Sequence, residues 1–396
     1  MIKYIDELQL KGKKVLMRVD FNVPLDDDCN ITDDNRIRAA LPTINYAIEK
    51  GAKLIICSHL GRPKGKRVER YSLKPVAKRL SELLNKEVTL APDCVGDEVK
   101  DLVEKLDEGD VLLLENLRFH EEETKNDPNF SAQLASLADL YINDAFAVSH
   151  RAHASVVGVC DHIKECGAGF LMKNELNYFE QALGKPVRPL VAIVGGAKVS
   201  SKLGALKNLL DKVDKLIIGG AMANTFLFAQ GIDVGASLIE PELKEDALFI
   251  IESCKKQGIR LYLPVDCVVA KEIKKDAVTK TVTCLEIPKE WMALDIGPAT
   301  TTLFKEAIYD AKTIVWNGPM GAFEIEPFSI GTMGLAHAVG SSHALTIIGG
   351  GDTAHAIAIS GQKKNVSYIS TGGGAFLTLL EGKELPGIKA LKGCCN

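Results

Sequence analysis

Two sets of side chains in this 396-residue sequence have the character needed to handle anions, and they lie in different halves. The first half holds Arg36, Arg62, Arg118 and Arg151, with His59 beside Arg62 in the run His59-Leu60-Gly61-Arg62. Guanidinium forks match the paired oxygens of carboxylates and phosphates. An arginine in a loop is ordinarily a solvated charge. Several in one half, each in a loop or at a helix start, favour a small anionic substrate. The second half offers glycine turns instead: Gly195-Gly196-Ala197-Lys198, Gly219-Gly220, Asn317-Gly318-Pro319, Gly349-Gly350-Gly351-Asp352-Thr353 and Thr371-Gly372-Gly373-Gly374. Glycine lets a ligand approach the backbone, and the bare N–H groups at a helix start attract phosphate. Lys198 and Lys202 stand four apart in what reads as a first helical turn, so both would reach one side as phosphate clamps. Asp352 and Glu324 are carboxylates close to this set. Asp352 suits either a helix cap or Mg²⁺, which takes carboxylates together with substrate phosphates.

The elements that must position these residues alternate between strand and helix. Short apolar runs predict strands at Val15–Val19, Lys53–Cys57, Val111–Leu114 and Leu140–Ile142, then at Leu190–Val194, Lys215–Ile218, Thr313–Val315, Ala344–Ile348 and Val366–Ile369. Continuous rather than alternating apolar runs indicate strands covered on both faces, as in parallel sheets. Helical spacing appears between them, as from Ser72, read as a capping serine, and from Arg36 to Glu49, where Pro42 should bend or start the regular part. The alternation predicts α/β architecture. Nearly every polar or glycine cluster follows a strand, the place where open parallel sheets bind ligands. A long helix is expected from Leu171 to Gly184, with a new strand series after Lys185-Pro186.

Composition excludes several classes. With 46% hydrophobic and 25% charged residues, neither disorder nor a coiled coil is expected. A net charge of −4 argues against a general nucleic-acid binder. The N-terminal residues are charged where a signal peptide would be apolar, and no run approaches the ~20 apolar residues of a membrane span. None of the ten cysteines forms a CxxC pair, so a zinc site of common spacing is unsupported. Cys57, Cys94, Cys254 and Cys267 read as packed small hydrophobes, and Cys394-Cys395 as a tail feature. A reducing, cytoplasmic setting is expected. The P-loop, the dinucleotide fingerprint, the protein-kinase motifs and the nucleophile elbow are all missing from the sequence. The residues alone thus indicate two α/β lobes, one for a small anion and one for a nucleotide, suited to phosphoryl transfer. An oxidoreductase, a silent scaffold and a kinase of a singly charged carboxylate are the alternatives.

Longer motifs carry a resemblance to the phosphoglycerate kinase family. They are Arg18-Val19-Asp20-Phe21-Asn22-Val23-Pro24, His59-Leu60-Gly61-Arg62-Pro63, Glu115-Asn116-Leu117-Arg118-Phe119, Asn143-Asp144-Ala145-Phe146 and Ser149-His150-Arg151-Ala152-His153-Ala154-Ser155. The second half adds Gly195 to Ser200, Trp316 to Gly321, Gly349 to Thr353, Ser370 to Gly374 and Leu385-Pro386-Gly387, all in family order. The resemblance implies two doubly wound parallel-sheet domains facing across a cleft. It places a 3-phosphoglycerate-binding domain at 1–170, a connecting helix at 171–184 and a nucleotide-binding domain at 185–384, with residues from about 385 packing back on the first domain.

It further implies reversible phosphoryl transfer between 1,3-bisphosphoglycerate and ADP. Asp20, Phe21, Asn22, Arg36, His59, Leu60, Gly61, Arg62, Arg118 and Arg151 would bind the glycerate. Gly195, Lys202, Gly219, Gly220, Asn317, Glu324, Gly350, Gly351, Asp352 and Thr353 would bind the Mg²⁺ complex of the nucleotide, with Asp352 at the metal. Arg36, Lys198, Lys202 and the N–H groups of Gly372, Gly373 and Gly374 would neutralise the transferring group. The family implies a monomer with no membrane or nucleic-acid partner. Ser201 stands where many members carry Asp, and the tail Lys392–Asn396 runs past the usual ending.

Overall fold

The computed structural model describes residues 2–394. The chain divides into two units, one running to Leu176 and resuming at Glu384, the other spanning Asn177–Lys383. In the first unit β1 (Lys14–Arg18), β2 (Lys53–Cys57), β3 (Thr89–Leu90), β4 (Val111–Leu113), β5 (Leu140–Asn143) and β6 (Cys166–Ala168) form one sheet in the order β3-β4-β2-β1-β5-β6. Every neighbouring pair is parallel. Val15, Met17, Leu54, Ile56, Leu113 and Ile142 are buried within the core of this unit. Removing each such side chain from water contributes about 1.5–3 kcal/mol, which is why these runs are apolar without alternation.

In the second unit come β7 (Leu190–Val194), β8 (Lys215–Ile218), β9 (Arg260–Tyr262), β10 (Asp266–Ala270), β11 (Lys280–Thr283), β12 (Met292–Ile296), β13 (Thr313–Asn317), β14 (Leu345–Gly349) and β15 (Tyr368–Ile369). Six of them make a parallel sheet in the order β15-β14-β13-β7-β8-β9, the order of a dinucleotide-type doubly wound fold. The remaining three form an antiparallel sheet, β11-β10-β12, with its own small core around Leu227, Val234, Val269 and Ile287. The apolar-run pattern did not announce this second sheet, because β11 is mostly exposed and polar.

The fold class is the expected one, and every expected strand is present. Three local expectations change. The helix from Asn35 runs through Pro42 rather than starting there. The next helix begins at Lys74 with Leu73 as its cap residue. Ser72 lies one step earlier, its hydroxyl donating to Glu115 at 2.7 Å and accepting the Lys74 N–H at 3.2 Å. The helix Phe170–Phe179 carries the chain from one unit to the next and finishes in a π-type turn, Glu180–Gly184. A last helix, Pro386–Cys394, belongs to the first unit; its Ile388 and Leu391 are buried, and the Gly387 N–H donates to Ser149 O at 2.9 Å.

Asp144, just past β5, ties the start of the Phe170–Phe179 helix to the sheet by accepting the Met172 N–H at 3.1 Å. Its second oxygen is buried with no hydrogen-bond partner. Burial pushes this carboxyl up to about 7, against the opposing hydrogen bonds of Thr43 and Met172. The folded protein therefore favours the protonated acid. Its stabilisation is complete below the ordinary carboxyl range near 3.8 and is lost as pH rises through about 7. Asp144→Asn should raise the melting temperature at pH 8, by an amount corresponding to about 1–4 kcal/mol, and flatten its decline between pH 5 and 8. Thermal melts of both proteins across that range check this.

Candidate active site

Each sheet has a switch in strand order beside its first strand, between β1 and β5 in the first unit and between β7 and β13 in the second. Loops leaving those strands part in opposite directions and open a crevice at their carboxyl ends. The candidate residues cluster there.

In the first unit the base is a buried polar network. Arg18 ends β1 with no exposure. Its Nε donates to Ser155 Oγ at 2.9 Å, and Ser155 Oγ donates in turn to Glu123 Oε1 at 2.6 Å. The Ser155 N–H completes the grip on Glu123 at 2.9 Å. Arg18 Nη2 also lies 3.0 Å from His59 Nδ1. A guanidinium only donates, so Nδ1 must accept, which leaves His59 neutral with its proton on Nε2. Burial first, then the charges of Arg18, Arg118 and Arg36, hold its pKa well below the ordinary value. Asp20 Oδ1, at 3.8 Å from Nδ1, is too far to compete as a hydrogen-bond partner.

Above this base, Asp20 pairs with Arg36 and Asn22 Oδ1 accepts the Gly61 N–H at 2.8 Å. Arg118 Nη1 donates to Gly61 O at 2.8 Å. Arg62, Arg118 and Arg151 line one cavity of about 480 Å³ with Lys64 and His120. Burial and the neighbouring Arg18 and Arg151 bring the Arg118 pKa down to about 10. Cations crowded in this way repel one another, and an anion of high charge relieves the repulsion. Phe21 and Leu60 are core side chains, and their N–H groups already donate to Ser58 Oγ at 2.8 Å and Asn116 Oδ1 at 3.2 Å.

In the second unit three glycine turns meet. The Gly195 N–H donates to Asn317 O at 3.0 Å, Gly196 to Pro319 O at 3.0 Å and Gly220 to Met320 O at 3.1 Å. A Cβ on Gly318 would lie 2.1 Å from Gly195 O, and its φ of +100° suits only glycine. Lys202 Nζ reaches into this junction, donating to Asn317 O at 2.9 Å and to Asn317 Oδ1. Burial pushes its amine down to about 8, opposed by the nearby Asp352. Thr353 Oγ1 accepts the Gly318 N–H at 2.6 Å. The helices Gly351–Ile359 and Gly373–Leu380 begin side by side, with a Cβ on Gly373 only 3.7 Å from Gly350 Cα. Their first-turn N–H groups lack intrahelical acceptors and make an anion cradle.

Some sequence expectations shift here. Lys198 and Lys202 do not share a helical turn: the helix starts at Leu203, Lys202 turns inward and Lys198 is exposed. Gly350, not Asp352, is the cap residue, and Asp352 lies exposed in the first turn. The Gly372 N–H already donates to Ser370 Oγ at 3.2 Å, so Gly373 and Gly374 are the better donors of that trio. Glu324 is exposed on the loop after β13, with no direct bond to Lys202 or Asp352. Asp93, Cys94 and His120 are the one group with metal-ligand proximity among the described residues; Asp93 and His120 already pair at 2.7 Å, as a salt link would. Arg18, Glu123 and Ser155 were missed as site residues. A lone arginine inside the apolar run Val15–Val19 was the available signal.

The family model described as phosphoglycerate kinase matches residues 5–383. The chain is 62% identical to the phosphoglycerate kinase of Geobacter metallireducens over 392 residues, covering 99% of this chain and 98% of the relative. It is 59% identical to that of Desulfotalea psychrophila over 391 residues, 99% of this chain and 100% of the other. The solved phosphoglycerate kinase of Coxiella burnetii superposes with a TM-score of 0.91 at 43% identity, over 100% of both chains. That of Pyrococcus horikoshii gives 0.83 at 34% identity, over 100% and 99%.

The buried network makes a prediction of its own. Removing one partner leaves an uncompensated charge in the interior, which costs about 3–5 kcal/mol. Glu123→Ala should therefore lower stability by that amount in denaturant titration, whereas alanine at the exposed Glu121 changes it by less than about 0.5 kcal/mol.

Proposed function

The chain belongs to the phosphoglycerate kinase family, and we propose that its two units divide the reaction between them, the first holding the glycerate and the second the nucleotide. The enzyme is a phosphotransferase with a carboxyl acceptor, moving a phosphoryl group between 1,3-bisphosphoglycerate and ADP to give 3-phosphoglycerate and ATP. One observation carries the division of labour. The guanidinium groups that suit a small polyanion gather around the switch point of the first sheet, and the glycine-lined helix starts gather around that of the second.

In this reading neutral His59 donates from Nε2 to a glycerate oxygen, while Arg62, Arg118 and Arg151 bind the charged ends. Asp20 holds Arg36 at the mouth of the site, ready to face the transferring group. In the second unit Lys202 exchanges its Asn317 contacts for phosphate oxygens, and the starts of the Gly351 and Gly373 helices receive the rest of the chain of phosphates. Mg²⁺ arrives with the nucleotide and lowers the charge on its phosphates. Asp352, exposed in the first turn and close enough to act on Lys202, is the fitting carboxylate. Phosphoryl transfer needs in-line positioning and neutralised equatorial oxygens, without a covalent enzyme intermediate. Because Arg36 and Lys202 belong to different units, transfer requires a state in which both engage one phosphoryl group. Excluding water from that state suppresses ATP hydrolysis. By the family resemblance we place the enzyme in the cytoplasm as a monomer. No described helix is long and apolar enough to cross a membrane.

A coupled assay with ATP, Mg²⁺ and 3-phosphoglycerate should give ADP that vanishes when Mg²⁺ is removed or acetate replaces the glycerate. Arg36→Ala should lower kcat by at least roughly 10²; near-normal turnover would refute its role. Lys202 must be charged to bind phosphate, and its charge is lost as pH rises through about 8. Nucleotide affinity measured by calorimetry should weaken across that pH. In Lys202→Met it should be about 10–100-fold lower and free of the step.

A further inference from the structure

The last helix, Pro386–Cys394, carries a cysteine that has a chemical partner in the first sheet. Cys394, on the last helix, is bonded to Cys166 of β6, with the Cα atoms 5.9 Å apart, inside the ordinary span of a disulfide. Where the sequence suggests only a tail feature at Cys394-Cys395, Cys394 is a cross-link, and Cys395 lies outside the described residues. The bond spans a sequence separation of 228, so the ring it closes contains the whole second unit.

We propose that Cys166 and Cys394 form a reversible oxidation site whose disulfide pins the C-terminal helix beneath the loop that carries Arg151. The helix it pins supports that loop directly. Gly387 donates to Ser149 O at 2.9 Å, and a Cβ there would meet Val156 at 2.9 Å and Ser149 Oγ at 3.1 Å. Ser149 and Val156 bracket Arg151 and Ser155, so movement of the helix is felt by an anion ligand and by the partner of Glu123. Cys394 is partly exposed and reachable by a small disulfide, whereas Cys166 is buried behind it. Cys57 and Cys254 are poor competitors, since burial raises the first to about 12 and the second to about 11. Oxidation joins the two Sγ atoms and gives up two protons and two electrons to an oxidised low-molecular-weight disulfide, which leaves as two thiols. A dithiol reductant reverses the step and becomes a cyclic disulfide.

The cross-link is tested independently of the assigned substrate site, on which only the kinetic consequence rests. The full chain carrying Cys395→Ser is treated with oxidised glutathione, alkylated and cut with trypsin. Mass spectrometry should find the peptide 165–173 joined to 393–396. Melting of the oxidised protein should fall by more than about 5 °C on reduction with dithiothreitol, and Cys394→Ser should melt like the reduced form and ignore the reductant. Reduction should raise KM for 3-phosphoglycerate about 2–10-fold with kcat nearly unchanged. Full alkylation of Cys166 after oxidation, or glutathione held on Cys394 alone, overturns the site. A cross-link with unchanged KM overturns its coupling to the Arg151 loop.

Discussion

A strand covered on both faces has no room for working polar side chains until it ends, and that constraint organises this molecule. Both six-stranded sheets are parallel, so all their strands end on the same side. Chemistry is thereby collected at one edge of each sheet, and the switch in strand order decides where along the edge a crevice opens. Asp20 and Asn22 follow β1, His59 and Arg62 follow β2, Arg118 follows β4 and Arg151 follows β5. Gly195, Gly219, Gly318 and Gly350 stand in the same relation to β7, β8, β13 and β14.

The two edges then solve different electrostatic problems. The first must concentrate positive charge without driving itself apart. It does so by sinking one arginine, Arg18, into the core against Glu123 through Ser155, and by spending a guanidinium contact on His59 that keeps the imidazole neutral. The second avoids concentrated side-chain charge and relies on backbone dipoles. Its glycines pack so closely that side chains are excluded from the junction, and Lys202 is the cation admitted there. Burial weakens that lysine's hold on its proton, and a bound phosphate would strengthen it.

Much of this was legible in the sequence, because a continuous apolar run followed by a polar or glycine cluster is a strand end seen in one dimension. The strands, the fold class and the loops around the crevices followed from it. What stayed hidden depends on packing that no local pattern reports. Glu123 is the third residue of Glu121-Glu122-Glu123, which reads as a solvated helix start; its inward turn becomes evident only when Ser155 is folded against it. The small antiparallel sheet was silent because strand β11 is short, polar and mostly exposed. Lys198 and Lys202 stand at helical spacing, yet the helix starts only at Leu203, after both of them. Cys166 and Cys394 are too far apart in sequence for spacing to suggest their bond.

The central claim is that each unit holds one substrate at its own strand ends. Hydrogen exchange followed by mass spectrometry, with each ligand added singly, tests it directly. The account predicts that 3-phosphoglycerate slows exchange in loops 20–23, 59–62, 116–119 and 149–152, and that the Mg²⁺–nucleotide complex slows it at 195–203, 219–222, 317–321 and 350–354. Protection of the same loops by both ligands, or by each in the opposite unit, would contradict it.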